Sequence, residues 1–290
     1  MSDKELIHIP VLLKESIDFL APKPGGVYAD CTLGGGGHTQ AIKAQCPECK
    51  IIAIDADYEV MIETRERLER FQDIEFINDN FKNIKNIVKK PVDGILFDLG
   101  VSSYQIDEPG RGFSLQKDGP LDMRMDRSQK LTAEEIVSRS SPDELERVFR
   151  EYGEERFSKR IARAIIQRRE KEKIKSTLQL KEIIEKSIFT WKKRESVTRV
   201  FQALRIAVNQ ELKNLKIALK DSIDLLKPAG RIVVISYHSL EDRIAKNAFR
   251  EAGKQGTLSV LTKKPVQPSS DEIASNPRAK SAKLRAAEKL

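Results

Sequence analysis

Apolar positions in the first hundred residues fall into short runs separated by stretches of helical spacing. Val11 to Leu20 is amphipathic and is closed by Pro22 and Pro24. A strand is predicted at Val27–Asp30, followed by the turn TLGGGGHT and a helix from His38 to Ala44. The pattern repeats with a strand at Ile51–Asp55, a helix from Asp57 to about Arg70 and a strand at Glu75–Ile77. GILFDLG, from Gly94, is apolar on both faces, as expected of a central parallel strand. Strand and helix alternating over short connections predict a doubly wound α/β sheet.

From about Glu108 to Ser196 the strand signal stops and helical signals replace it. Ser141-Pro142-Asp143-Glu144 offers an N-cap, a proline at the first helical position and a capping-box glutamate. Phe157, Ile161 and Ile165 recur at four-residue spacing. Beyond this block, apolar residues step by three or four from Phe201 to Leu226, which predicts one long helix stopped by Pro228 and Gly230. RIVVIS (Arg231–Ser236) is the next strand, and a helix capped by Ser239 follows. Two more strands are predicted near Leu258–Leu261 and Lys283–Ala287. The organisation expected is therefore a sheet domain split in sequence, 1–107 and 198–290, around a helical insertion at 108–197.

The chain has 290 residues, 39% hydrophobic and 33% charged, with no apolar run of membrane-spanning length and no signal-peptide core in MSDKELIHIP. A soluble, cytoplasmic protein is expected, without a membrane partner. Three cysteines argue against a disulfide framework. Cys46-Pro-Glu-Cys49 has redox or metal spacing, but nothing nearby supplies further ligands; free loop cysteines and no metal are expected. The formal net charge of +8 favours a polyanionic partner.

A glycine turn after the first strand of such a sheet serves two cofactor classes, dinucleotides and S-adenosylmethionine. The dinucleotide fingerprint needs a small third residue where the helix packs; here Thr39 or Gln40 falls there. Asp30, at the strand tip, repels a pyrophosphate and attracts the ammonium and sulfonium of S-adenosylmethionine. Asp55 suits ribose hydroxyls in either class, Phe81 an adenine face, and Asp98 ends the fourth strand at the mouth of the sheet.

HIPVLLKE, TLGGGGHT, AIDAD, FDLGVSS, DGPLDMRMD, YGEERFSKRIARAI, TRVFQALRIAVNQEL and ISYHSLEDR together resemble the bacterial small-subunit ribosomal RNA methyltransferase H family, from about His8 to Arg285. The resemblance implies a class I methyltransferase fold and S-adenosylmethionine-dependent methylation of a cytosine N4 at the decoding site of 16S rRNA. It implies cofactor contacts at Gly36, Gly37, His38, Asp55, Phe81, Asp98 and Gln105. The tetrapeptide with paired prolines common in amino-methyltransferases is replaced by Asp98-Leu99-Gly100-Val101, so the group that orients the amine is open; Asp98 and His238 are the candidates. Substrate contacts are expected at Ser102, Ser103, Arg163, Arg168, Tyr237 and Arg243, in a monomer or homodimer acting on the small ribosomal subunit.

Each of these has a plainer reading. The basic helix Arg156–Lys175 also reads as a solvated face with i,i+4 pairs, and Trp191, among Lys192, Lys193 and Arg194, as partly core. The basic tail PRAKSAKLRAAEKL is a further candidate RNA contact. Rival functions on the same pattern are a DNA amino-methyltransferase, an NAD-dependent oxidoreductase and a non-catalytic RNA-binding protein.

Overall fold

A computed structural model describes residues 10–290; the start of the first motif, His8 and Ile9, lies outside them. Seven strands form one sheet: β1 Val27–Asp30, β2 Lys50–Asp55, β3 Ile74–Asn78, β4 Val92–Asp98, β5 Leu226–Ser236, β6 Leu258–Val260 and β7 Lys283–Lys289. Their order is β3-β2-β1-β4-β5-β7-β6. The first five pair in parallel, and β7 runs antiparallel to both neighbours. This is the mostly parallel α/β sheet expected. The strand order reverses between β1 and β4, where open sheets of this kind form a ligand crevice at their carboxyl ends.

The two-residue strand period builds two apolar layers. Ile95 and Phe97 enter one with Val234, while Leu96 enters the other with Val233 and Ile235. Helices Glu211–Leu225 and Ser239–Lys254 cover the first layer, through residues such as Leu219 and Phe249. Helices Leu13–Leu20, Gly37–Gln45 and Tyr58–Leu68 cover the second, through Ile17, Ile42 and Leu68. Burial on both faces explains why GILFDLG reads as a continuous apolar run.

The chain divides into two compact units, 1–101 with 212–290, and 102–211. The helical unit is longer at both ends than the 108–197 expected, because Val200, Phe201 and Leu204 of helix Lys193–Asn209 belong to its core. The single long helix expected across Phe201–Leu226 is two helices. Gln210 takes φ 51° and ends the first at Asn209, and the second begins at Glu211. The apolar stepping continues through this break and conceals it. Asn209 explains its position: its side chain donates to Met123 O at 2.8 Å and accepts from Met125 N at 2.8 Å. With the bidentate Arg124–Asp122 pair, it fastens the DGPLDMRMD segment. Ser141 caps helix Pro142–Gly153 in the predicted capping box.

Three further expectations are corrected. Cys46 and Cys49 form a disulfide rather than standing free in the loop; an odd count leaves room for one bridge, and the turn Cys46-Pro47-Glu48-Cys49 closes on itself. The unpaired Cys31 is buried, which pushes its thiol well above the usual range. Two cations of the basic tail have structural partners, Arg285 bound to Asp242 and Lys289 donating to Ile223 O, while Arg278 and Lys280 are exposed. Third, His238, not Ser239, caps helix Ser239–Lys254. No helix among the described residues is long and apolar enough to cross a membrane.

Candidate functional site at the carboxyl edge of the sheet

The glycine turn is built for packing as much as for ligand access. Gly36 takes φ 72° at the helix N-cap, and a Cβ there would lie 2.7 Å from Thr64 Cγ2. A Cβ on Gly37 would lie 2.1 Å from Pro10 Cγ, so the chain before the first helix sits directly on the turn. Gly37→Ala is expected to cost about 1–3 kcal/mol, read as a lowered thermal midpoint. The turn is also tied to β2, since Gly34 N donates to Asp55 Oδ2 at 2.8 Å.

Asp55 accepts a second backbone hydrogen bond, from Asp57 N at 2.8 Å on Oδ1. Burial nevertheless outweighs both bonds and pushes its carboxyl up to about 6. Asp98 is raised further, to about 7, by burial and then by Glu241. Tyr237 Oη donates to Asp98 Oδ1 at 2.8 Å, and His38 Nδ1 lies 3.6 Å from Asp98 Oδ2. Burial holds His38 below the usual imidazole value against the pull of Asp30, and its Nε2 is buried with no hydrogen-bond partner among the described residues. Thr32, where related turns carry glycine, accepts the Asp98 backbone N–H at 2.6 Å and so joins β1 to β4.

Asp30 departs from expectation. It is 1% exposed, accepts from Thr39 Oγ1 at 2.7 Å and from Thr32 N, and lies beneath the crevice. Its charge is felt by His38, Asp55 and Asp98. Phe81 is half-buried and meets Phe97 edge-on, with centroids 5.7 Å apart. The structure thus places Asp55 and Asp98 at the ends of β2 and β4 and Tyr237 just after β5, with His38 on the helix after β1 and Phe81 just after β3.

The other candidates have structural partners or lie in the helical unit. His238 Nδ1 accepts from Glu241 N at 3.4 Å, and its Nε2 is 3.2 Å from Glu241 Oε1 without hydrogen-bond alignment. Glu241 in turn accepts from Tyr237 N, a cap that steadies the residue after β5. Within the helical unit, Gln105 and Ser102 form a capping box at helix Ser103–Asp107. The S-x-x-Q spacing carried that signal in the sequence. Arg168 pairs with Glu172, as the solvated-face reading expects, while Arg163 and Arg243 are exposed.

The sequence profile of the MraW methylase family matches residues 5–290. This chain belongs to that family. Among its relatives, "Ribosomal RNA small subunit methyltransferase H" of Halothermothrix orenii is 48% identical over 98% of this chain and 99% of that one. The protein of the same name from Finegoldia magna is 45% identical over 99% of each. A solved rRNA methylase from Streptococcus thermophilus aligns over 97% of this chain and 98% of that one, at 15% identity and TM-score 0.48.

As an MraW-family methylase, the protein transfers a methyl group from S-adenosylmethionine. The crevice fits that donor. Burial raises two carboxyls there, Asp55 to about 6 and Asp98 to about 7, and no cation among the described residues offsets it. The donor's ammonium and sulfonium would supply one, and a pyrophosphate would aggravate the shortage.

Proposed function

We propose that this methylase modifies 16S rRNA of the small ribosomal subunit at N4 of a cytosine of the decoding site. The observation that carries the reading is Asp98: a carboxyl at the end of β4, raised to about 7, gripped by Tyr237 and facing His38. A cytosine N4 amine is a weak nucleophile because its lone pair is delocalised into the ring, and it must lose a proton when it gains a methyl group. S-adenosylmethionine, when bound, supplies the electrophilic methyl and a good leaving group. The protein's part is alignment and proton acceptance.

Tyr237 occupies Asp98 Oδ1 and fixes the plane of the carboxyl, leaving Oδ2 to accept a hydrogen bond from the amine. With the donor's positive charge beside it the carboxyl is ionised, and so is free to accept the amine proton. His238 acts through the cap, holding Tyr237 by way of Glu241. Positioning by these groups substitutes for the missing proline tetrapeptide. Residues 102–211 serve as the RNA-recognition module, with Ser102, Ser103, Arg163 and Arg168 contributing from that module and Arg243 from the sheet unit.

The deciding experiment is tritiated methyl transfer to purified small subunits, followed by nucleoside analysis. N4-methylcytidine is the expected product. Label in another nucleoside, or efficient transfer to DNA instead, would reject the reading.

A further inference from the structure

The largest exposed aromatic surface in the helical unit lies between helices Thr177–Ser187 and Lys193–Asn209. Ile188 is buried at 1% and anchors the connection on one side; Ser196 and Val197 anchor it on the other. Between these anchors Phe189 is 78% exposed and Trp191 is 85% exposed. The sequence reading of Trp191 as partly core does not hold. Two rings turned into water beside well-buried neighbours are costly to display, and such surfaces mark interaction sites.

Their surroundings select the partner. The Arg160 guanidinium lies 4.3 Å from the Phe189 ring centroid, and the Lys192 ammonium 4.9 Å from that of Trp191. Lys193 and Arg194 are exposed beside them, and Phe189–Arg194 contains no acid. Of the acids next along the chain, Glu182 pairs with Lys186, Glu185 is half-buried, and Glu195 lies 4.0 Å from Arg199. Two copies of so basic a face would repel each other. A membrane surface needs a broader apolar face than two rings separated by Thr190. Rings flanked by cations that have no ion pair among the described residues match unpaired nucleotides, whose bases stack while their phosphates meet the cations.

We propose that Phe189 and Trp191 form a base-stacking platform for single-stranded nucleotides of the RNA substrate, with Arg160, Lys192, Lys193 and Arg194 holding the flanking phosphates. The proposal rests on the rRNA reading above for its substrate class only.

Trp191 is the sole tryptophan in the chain, so its emission reports the platform directly. Titrating the protein with a short single-stranded oligoribonucleotide should quench that emission in step with the anisotropy of a labelled copy, and less so as salt rises. Trp191→Ala should weaken RNA binding about 5- to 100-fold, with Trp191→Phe retaining most of the affinity. S-adenosylmethionine affinity, measured by calorimetry, should stay unchanged in both variants and certifies their fold. RNA binding with silent tryptophan emission would overturn the proposal. So would an emission shift driven by protein concentration alone, which means a second copy, or quenching by phosphatidylserine vesicles and not by RNA. Stacking without methyl transfer would sink the rRNA reading and leave the platform standing; methyl transfer to small subunits with Trp191 silent would do the reverse.

Discussion

Asp98→Asn should abolish most methyl transfer and make the donor-free protein more stable. The substitution keeps an oxygen for the Tyr237 hydroxyl, found at 2.8 Å in the native chain, but removes the proton acceptor. A loss of on the order of 10²-fold or more in turnover is expected, the scale of a lost general base. Stability moves the other way for a reason of linkage. The folded-state value of Asp98, about 7, lies above the ordinary 3.8, so between these values the folded protein binds a proton that the unfolded chain has released. Stability from this group is complete below about pH 4 and drains away as pH rises through about 7. At about 1.4 kcal/mol per pH unit, the ceiling on the loss is about 4 kcal/mol. Asparagine has no proton to lose. Thermal melts at pH 5 and pH 8 should show native protein losing stability that the variant keeps; parallel melts for the two proteins would contradict the burial argument.

S-adenosylmethionine should bind about 10²-fold more tightly at pH 8 than at pH 5.5. A cation entering the crevice stabilises the ionised forms of Asp55, at about 6, and Asp98, at about 7, so binding expels protons held at lower pH. The groups that share this field are Asp30, His38, Tyr237 and Glu241 around Asp98, and Asp57 and Asp30 around Asp55. Calorimetry in two buffers of different ionisation enthalpy measures the protons released. Asp55→Asn and Asp98→Asn should each remove part of the pH slope, Asp98→Asn the larger part. An affinity flat from pH 5.5 to 8 would show that the donor's charge does not meet these carboxyls.

Much of this arrangement was legible in the chain because burial on both faces of a parallel strand leaves an apolar run with few interruptions. β4 and the second half of β5 were visible for that reason, and Asp55 and Asp98 for standing at the ends of β2 and β4. Features that depend on distant partners were not legible. Gln210 interrupts a helix whose apolar stepping does not falter, because the break serves Asn209 and its bonds to Met123 and Met125. Asp30 reads as a ligand group until Thr39 and Thr32 are seen to claim it. The cap that Gln105 makes with Ser102, by contrast, was there in the S-x-x-Q spacing. Trp191 reads either as an aromatic of a basic RNA-facing patch or as partly core, and no local pattern shows that it is 85% exposed.

The place of β7 in the sheet has a consequence for synthesis. It lies between β5 and β6, yet it is made after every other strand described. Until residues 283–289 emerge, β5 offers a bare edge and β6 has no strand to join. Such edges recruit other chains. A nascent or truncated polypeptide stopping short of Lys283 therefore carries the whole crevice in its sequence while lacking the last rung that closes the sheet, and is at its most adhesive at that moment.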